Sequence, residues 1–220
     1  MSKTQDRIIL QRTGALVFAL GIVEFYLGWT SAPPGTFRFQ IFGMLIGLLV
    51  VFGNSRAISG VRWLAWLALL PAAVFLVSTY ALLPASLLLA QMRFVPGQFT
   101  IEVGKQLLVV AVVILLIRQL GSAPVLAARA AEGRKVRNMR IPLAIGGVLA
   151  LSVTIMEARV LNNADAAKAV QLAAAHVGPG YEYFTNRLFY QYGKQNIVNA
   201  RVQAWNEREL IEIPVRWEMP

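Results

Sequence analysis

LQRTGALVFALGIVEFYLGWT, residues 10–30, is a mostly apolar run with one carboxylate, Glu24, set inside it. A helix that crosses a membrane needs about 20 such residues. The run is long enough. No small-residue cleavage site stands out before Phe25, Tyr26 and Trp29, so it reads as a retained span rather than a signal peptide. That reading commits the chain to a helical membrane architecture and raises the question of what the charge does there.

Four more segments qualify as spans. Residues 38–54, RFQIFGMLIGLLVVFGN, form a short second one. Residues 62–91 form a longer, tilted third that contains Pro71 and Pro84. Residues 102–120 form the fourth, with the densest run from Leu107 to Ile117, and residues 141–160, IPLAIGGVLALSVTIMEARV, form the fifth. Composition agrees. Only 15% of the 220 residues are charged and the mean hydropathy is +0.57, whereas soluble domains carry about 25% charged residues.

The same inventory excludes several chemistries. With no cysteine there is no disulfide, thiolate metal site or cysteine nucleophile. The single histidine, His176, rules out bis-histidine haem ligation and a multi-histidine metal site within this chain. Gly178-Pro179-Gly180 lacks the lysine and following helix of a phosphate-binding loop. No zinc-protease, nucleophile-elbow or paired-carboxylate pattern occurs. Neither a cofactor nor a catalytic residue is expected.

Charge sets the expected orientation. From residue 160 onward, Lys168, Arg187, Lys194, Arg201, Arg208 and Arg216 balance Asp165, Glu182, Glu207, Glu209, Glu212 and Glu218. The net charge of +10 therefore sits entirely in the apolar part. Lys3, Arg7, Arg12, Arg56, Arg62, Arg118, Arg129, Arg134, Lys135, Arg137 and Arg140 fall on one side of the five spans, against Arg38, Arg93 and Lys105 on the other. This bias puts the N-terminus in the cytoplasm and, after five spans, the C-terminus outside. It also explains the basic pI without nucleic acid. The Ala- and Arg-rich composition suits a bacterial inner membrane, with the C-terminus periplasmic.

After Leu161 the pattern changes. NNADAAKAVQLAAAHVG (162–178) reads as a helix capped by Asn163 or Asp165 and ended by Gly178. His176 is a helix-end residue. YEYFTNRLFYQY (181–192) is aromatic-rich, and in IVNARVQAW (197–205) Val198, Ala200, Val202 and Ala204 alternate with polar residues. NERE makes a turn. Ile211, Ile213, Val215 and Trp217 then share a face, and Pro214 marks an edge strand. The predicted core holds Val198, Val202, Ile211, Ile213 and Val215. So small a unit is marginal alone and needs the membrane, a second copy or a partner to lean on.

The fold class expected is a polytopic α-helical membrane protein. Residues 1–160 hold five transmembrane helices. Residues 161–220 form a small α+β extracytoplasmic domain, one helix on a three-stranded antiparallel meander. Glu24 and Lys105 lie at similar depth on this topology, about 9 Å and 5 Å below the outer ends of their spans. They are expected to pair across the bundle. The rival readings are snorkelling and a functional carboxylate. Gly43 and Gly47, with Gly14, Gly21 and Gly28, read as a helix-packing seam. Arg129, Arg134, Lys135, Arg137 and Arg140 lie in a basic loop that sets topology or meets anionic lipid. Tyr181, Tyr183, Phe184, Trp205 and Trp217, with Phe189, Tyr190 and Tyr192, either fill the small core and touch headgroups or form a contact surface.

The expected function is a non-enzymatic inner-membrane subunit with an accessory, assembly or scaffold role. It would present its outer domain to other membrane or periplasmic proteins, or associate with itself. The alternative is an oligomeric small-solute transporter or channel subunit, which needs polar groups lining a path.

Overall fold

The computed structural model describes residues 3–30, 41–53, 55–133, 138–193 and 196–219. Within them the order is α1 (Lys3–Thr30), α2 (Phe42–Phe52), α3 (Ser55–Ala81), α4 (Ala85–Phe94), α5 (Pro96–Leu120), α6 (Ala123–Ala131), α7 (Arg140–Leu161), α8 (Ala164–Val177), β1 (Glu182–Gln191), β2 (Ile197–Trp205) and β3 (Leu210–Glu218). By length and composition, four stretches can cross a membrane: Arg7–Tyr26, Arg56–Ala81, Pro96–Leu120 and Arg140–Leu161.

Two expected spans come out differently. The second is a helix of only 11 residues, α2. At 1.5 Å per residue it is about 16 Å long, roughly half a hydrocarbon core. The third, expected as one tilted segment, is two elements. Pro84 takes φ −57° and ψ 138° and separates α3 from α4. A proline also pushes the residue before it out of helical conformation. Pro71, by contrast, stays inside α3. It removes the amide that would bond the Leu67 carbonyl. Gly146 of α7 lies directly against that carbonyl, so close that no side chain fits there.

The chain divides into two compact units. The first holds residues Met1–Ala73 and Lys105–Ala150, the second Val74–Gly104 and Leu151–Pro220. The division passes within α3, α5 and α7.

In the first unit, Val17, Val50, Ile58, Val61, Ala65, Leu116, Leu120 and Val125 form one buried cluster. The N-terminal halves of α1 and α3 thus meet the C-terminal half of α5 and the short α6. Along α1 and α2 the close contacts run in opposite order. Gly14 meets Val51, Phe18 meets Gly47 and Gly21 meets Gly43. The two helices are therefore antiparallel, with backbones in contact. Much of the remaining apolar surface faces outward, as at Phe52, Ile114 and Val148. Such surface suits lipid and would be a liability in water.

In the second unit, α8 starts at Asn163, whose side chain accepts from the Ala166 amide at 2.7 Å. It stops at Gly178, where φ is +104° and a side chain would be strained. The sheet order is β1-β2-β3, antiparallel throughout, so β3 with Pro214 is an edge. Small residues on α8, Ala169 and Ala173, let it sit close to Ala200, Val202 and Val215. Val198 and Val202 are fully buried and Val215 nearly so, while Ile211 and Ile213 are half-buried.

A bulge between Thr185 and Arg187 shifts the register of β1. It resets the alternation, so that Thr185 and Tyr190 both reach α8. Thr185 donates to the Ala166 carbonyl at 2.9 Å and Tyr190 to the Asp165 carboxylate at 2.9 Å. The other sheet face is covered at one end by α4. Leu87 and Ala90 pack on Trp205, with Phe184, Phe94 and Leu210 around them. Gln91 donates to Gln203 at 3.0 Å and Ser86 to Glu182 at 2.7 Å. This short helix supplies the second covering layer that a helix-and-meander unit lacks by itself.

Candidate functional sites

Where α4 meets the β2–β3 turn and the loop after α8, an open cleft of about 580 Å³ remains. Its size falls within the range of small-ligand or side-chain pockets. Leu89, Phe94 and Trp205 give it an apolar wall, while Arg93, Glu182 and Glu207 bring charge of both signs. Arg93 is held over the Phe94 ring at 5.2 Å. Tyr181 donates to the Glu209 carboxylate, and that bond, before any burial, holds its hydroxyl above the ordinary tyrosine range. Trp205 is only 5% exposed, and its indole Nε1–H is buried without an acceptor.

The aromatics singled out from sequence separate into distinct roles. Tyr181 lines the cleft. Tyr183 bonds the Gly178 carbonyl and packs toward α8. Trp217 lies on the same side, with the Lys168 ammonium 5.5 Å from its ring. Phe184 and Trp205 fill the α4 side of the sheet. These four serve the core, and Trp205 reaches the cleft as well. The outward-facing aromatics are Phe189, 52% exposed, and Tyr192, 76% exposed. Simple alternation does not find Phe189, because the bulge resets which face it occupies.

Glu24 is half-buried and turned toward α2. A methyl group on Gly43 would come within 3.6 Å of its Oε2. Lys105 is half-buried on α5. Gly43 and Gly47 lie in the α1–α2 seam. Arg129 lies on α6 and is 5% exposed. Arg140 is exposed. Arg134, Lys135 and Arg137 lie outside the described residues. Arg62, expected in a loop, is two turns inside α3. The helical period of SRAISGVRWLAWL is the signal that would have placed it there.

Among the described residues no group of three or more His, Asp or Glu side chains is placed to hold a metal. Comparison with family models, curated proteins and solved structures found no match.

Proposed function

We propose that the chain is a non-enzymatic subunit of a bacterial inner-membrane complex, with five spans, a cytoplasmic N-terminus and a periplasmic C-terminal domain that docks partner proteins. The observation that carries this reading is the cleft beside α4. It joins an apolar wall of Leu89, Phe94 and Trp205 to fixed charges at Arg93, Glu182 and Glu207. Protein interfaces favour this mixture, an aromatic centre with a charged rim. The four apolar helices anchor the domain. Glu24 and Lys105 tie α1 to α5 in this reading, as a structural pair with no role in transport.

Affinity purification in mild detergent tests the proposal. The wild-type chain is expected to retain a partner protein in fixed stoichiometry. Leu89→Asp combined with Arg93→Glu is expected to lose it while keeping the same melting temperature. A homo-oligomer with a solvated central cavity and no second protein would favour a small-solute transporter or channel and sink the subunit reading.

A further inference from the structure

α4 is tied at both ends to helices long and apolar enough to be spans. One of these stretches ends at Ala81, at the close of α3, and the next begins at Pro96, at the start of α5. Tyr80 meets Phe99 edge-on, with ring centroids 5.9 Å apart. The end of the one stretch therefore lies beside the start of the other, and tyrosine is enriched where lipid meets water. α4 bridges them with only 10 residues, which keeps it at that boundary. Its two faces agree. Leu87, Ala90 and Phe94 pack toward the sheet. Ala85, Leu88 and Met92 fall on the opposite side of the helix, where Met92 is 54% exposed. An apolar side chain presented there suits lipid.

The sheet face that α4 covers at one end thus looks toward the membrane, about one helix diameter, roughly 10 Å, above it. Beyond α4 the same face is open. Direct cross-strand partners share a face, so Phe189, Asn199 and Arg216 form one row across it, and Arg187, Arg201 and Pro214 form the next. Between these rows is a hollow of about 360 Å³, lined by Phe189, Asn199, Arg201, Pro214 and Arg216. Phe189 is 52% exposed. Arg201 is paired with Glu212 at 2.9 Å, and Glu218 adds an acid at the far end of the face. Among the described residues, Arg187 and Arg216 have no ion pair. Arg187 also sits directly opposite Arg201, an arrangement of like charges that costs stability unless an anion lies over it.

We propose that this open sheet face, through Arg187, Arg216 and Phe189, rests on the anionic phospholipid headgroups of the membrane that the chain spans. The proposal rests on the membrane-spanning reading given above and is independent of any partner protein. None of its three residues lines the cleft beside α4. The occupant follows from the chemistry. A headgroup layer about 5–8 Å thick lies on each side of the hydrocarbon core, and it fills most of the gap that α4 holds open. Phosphate oxygens accept from the planar fork of arginine two at a time. The long arginine stem lets the charge reach down while the backbone stays in the sheet. Phe189 adds an apolar contact to the same layer. Lipid thereby gives the sheet a cover on the part of this face that α4 leaves bare.

The chain has no cysteine, so a single one can be introduced and labelled with a fluorophore. Gln191→Cys places the label on the open face, next to the row of Phe189, and Gln171→Cys places it on exposed α8, across the sheet. The full chain is put into nanodiscs of phosphatidylcholine, alone or mixed with phosphatidylglycerol, that carry a nitroxide on a fraction of the headgroups. The label at Gln191→Cys is expected to be quenched, and more strongly with phosphatidylglycerol present. The label at Gln171→Cys is expected to stay bright in both. Arg187→Gln combined with Arg216→Gln is expected to lose the gain that phosphatidylglycerol gives. High salt screens the same attraction without a mutation and is expected to reduce that gain in the wild-type face as well. Equal quenching at the two labels overturns the proposal, and so does a gain that survives both the double substitution and high salt. Protection of the label by an acidic peptide, with no quenching from either lipid, would assign the face to a protein and overturn it too. An alkaline carbonate wash separates the two readings. A chain released from membranes by the wash refutes the membrane-spanning reading along with this one, whereas a chain that stays bound with both labels bright refutes this one alone.

Discussion

Replacing Gly47 with alanine tests the packing of α1 against α2 in the first unit. The added methyl would lie 2.5 Å from the Phe18 amide nitrogen and 2.7 Å from its Cα and Cβ. Ordinary carbon contacts begin near 3.5 Å. The obstacle is backbone, so no change of rotamer relieves it, and α1 and α2 have to move apart by about 1 Å. A gap of that size forfeits a quarter to a half of each dispersion contact it opens. It opens them along the whole seam, at Gly14 against Val51 and at Gly21 against Met44 as well. Overpacking of this kind costs about 1–3 kcal/mol, and the upper end applies where the neighbour is backbone. Alanine recovers about 1 kcal/mol of helix propensity. The net expectation is a loss of about 2 kcal/mol.

Gly104 supplies the control. It is also helical, but a methyl added there meets nothing within 4 Å. Gly104→Ala should keep the propensity gain without the clash, so the two variants should differ by about 3 kcal/mol. For a chain of this length that separates their melting temperatures by roughly 6–12 °C. Thermal unfolding in mild detergent, followed by tryptophan fluorescence, measures both. If Gly47→Ala melts at or above wild type, or moves in step with Gly104→Ala, the two helices are not in backbone contact and the seam is wrong.

Three further outcomes are expected. Val202→Asp buries an unpaired charge at a fully buried strand position and should unfold the second unit, costing more than about 4 kcal/mol. Asn199→Asp, on the opposite face of the same strand, should leave its circular dichroism and melting unchanged. Tyr190 has its hydroxyl held above the ordinary tyrosine range, first by burial and then by its bond to Asp165, against an opposing bond from Asn163. A raised folded-state value means this stability is fully present below about pH 10 and is lost as the pH rises through the folded value. Wild type should therefore lose stability in that alkaline window and Tyr190→Phe should lose less, so equal slopes would exclude the tyrosine. Glu24→Lys and Lys105→Glu should each lower stability in detergent, and the double swap should recover much of the loss. Strict additivity in that cycle would show that the pair does not exist.

How much of this was legible in the sequence depends on the range of the interaction. Alternation in β2 and β3 is local and regular, and it places Val198, Val202 and Val215 correctly. The bulge in β1 leaves no mark in EYFTNRLFYQ, because a bulge is decided by what the neighbouring strand and α8 require. The two prolines of the third apolar segment look alike in sequence, yet one stays inside a helix and the other ends it. Around Pro71 the chain is apolar on all sides, and Gly146, 75 residues away in sequence, covers the carbonyl that the proline leaves free. After Pro84 come Ser86, Gln91 and Arg93, which bond or line a sheet built from residues a hundred positions later. Hydropathy averaged over a window cannot distinguish an amphipathic cover from the end of a span. The same averaging placed Arg62 in a loop, although its helix begins at Ser55.

The arrangement of the first unit bears on the topology proposed from the basic residues. Ile9, Leu10 and Val17 of α1, Ile58 and Val61 of α3, and Leu116 and Leu120 of α5 belong to one cluster. The first halves of α1 and α3 are therefore level with the last half of α5. In a membrane, α1 and α3 would run in the same direction and α5 in the opposite one. Between α1 and α3 the chain has to come back. α2, antiparallel to α1, runs in the returning direction, and its 11 residues cover about 16 Å of the way. This is the argument for an odd number of crossings although, among the described residues, four helices have full length. It also gathers Arg12, Arg56 and Arg118 toward one end of the bundle, as the positive-inside rule requires of a cytoplasmic side. A reporter active only in the periplasm should be silent when fused at Ala128 and active when fused at Gly35 or after Pro220. Activity at Ala128 with silence after Pro220 would refute the orientation. Silence at Gly35 with silence after Pro220 would mean that α1 and α2 do not form a crossing pair, and the fifth span would be withdrawn.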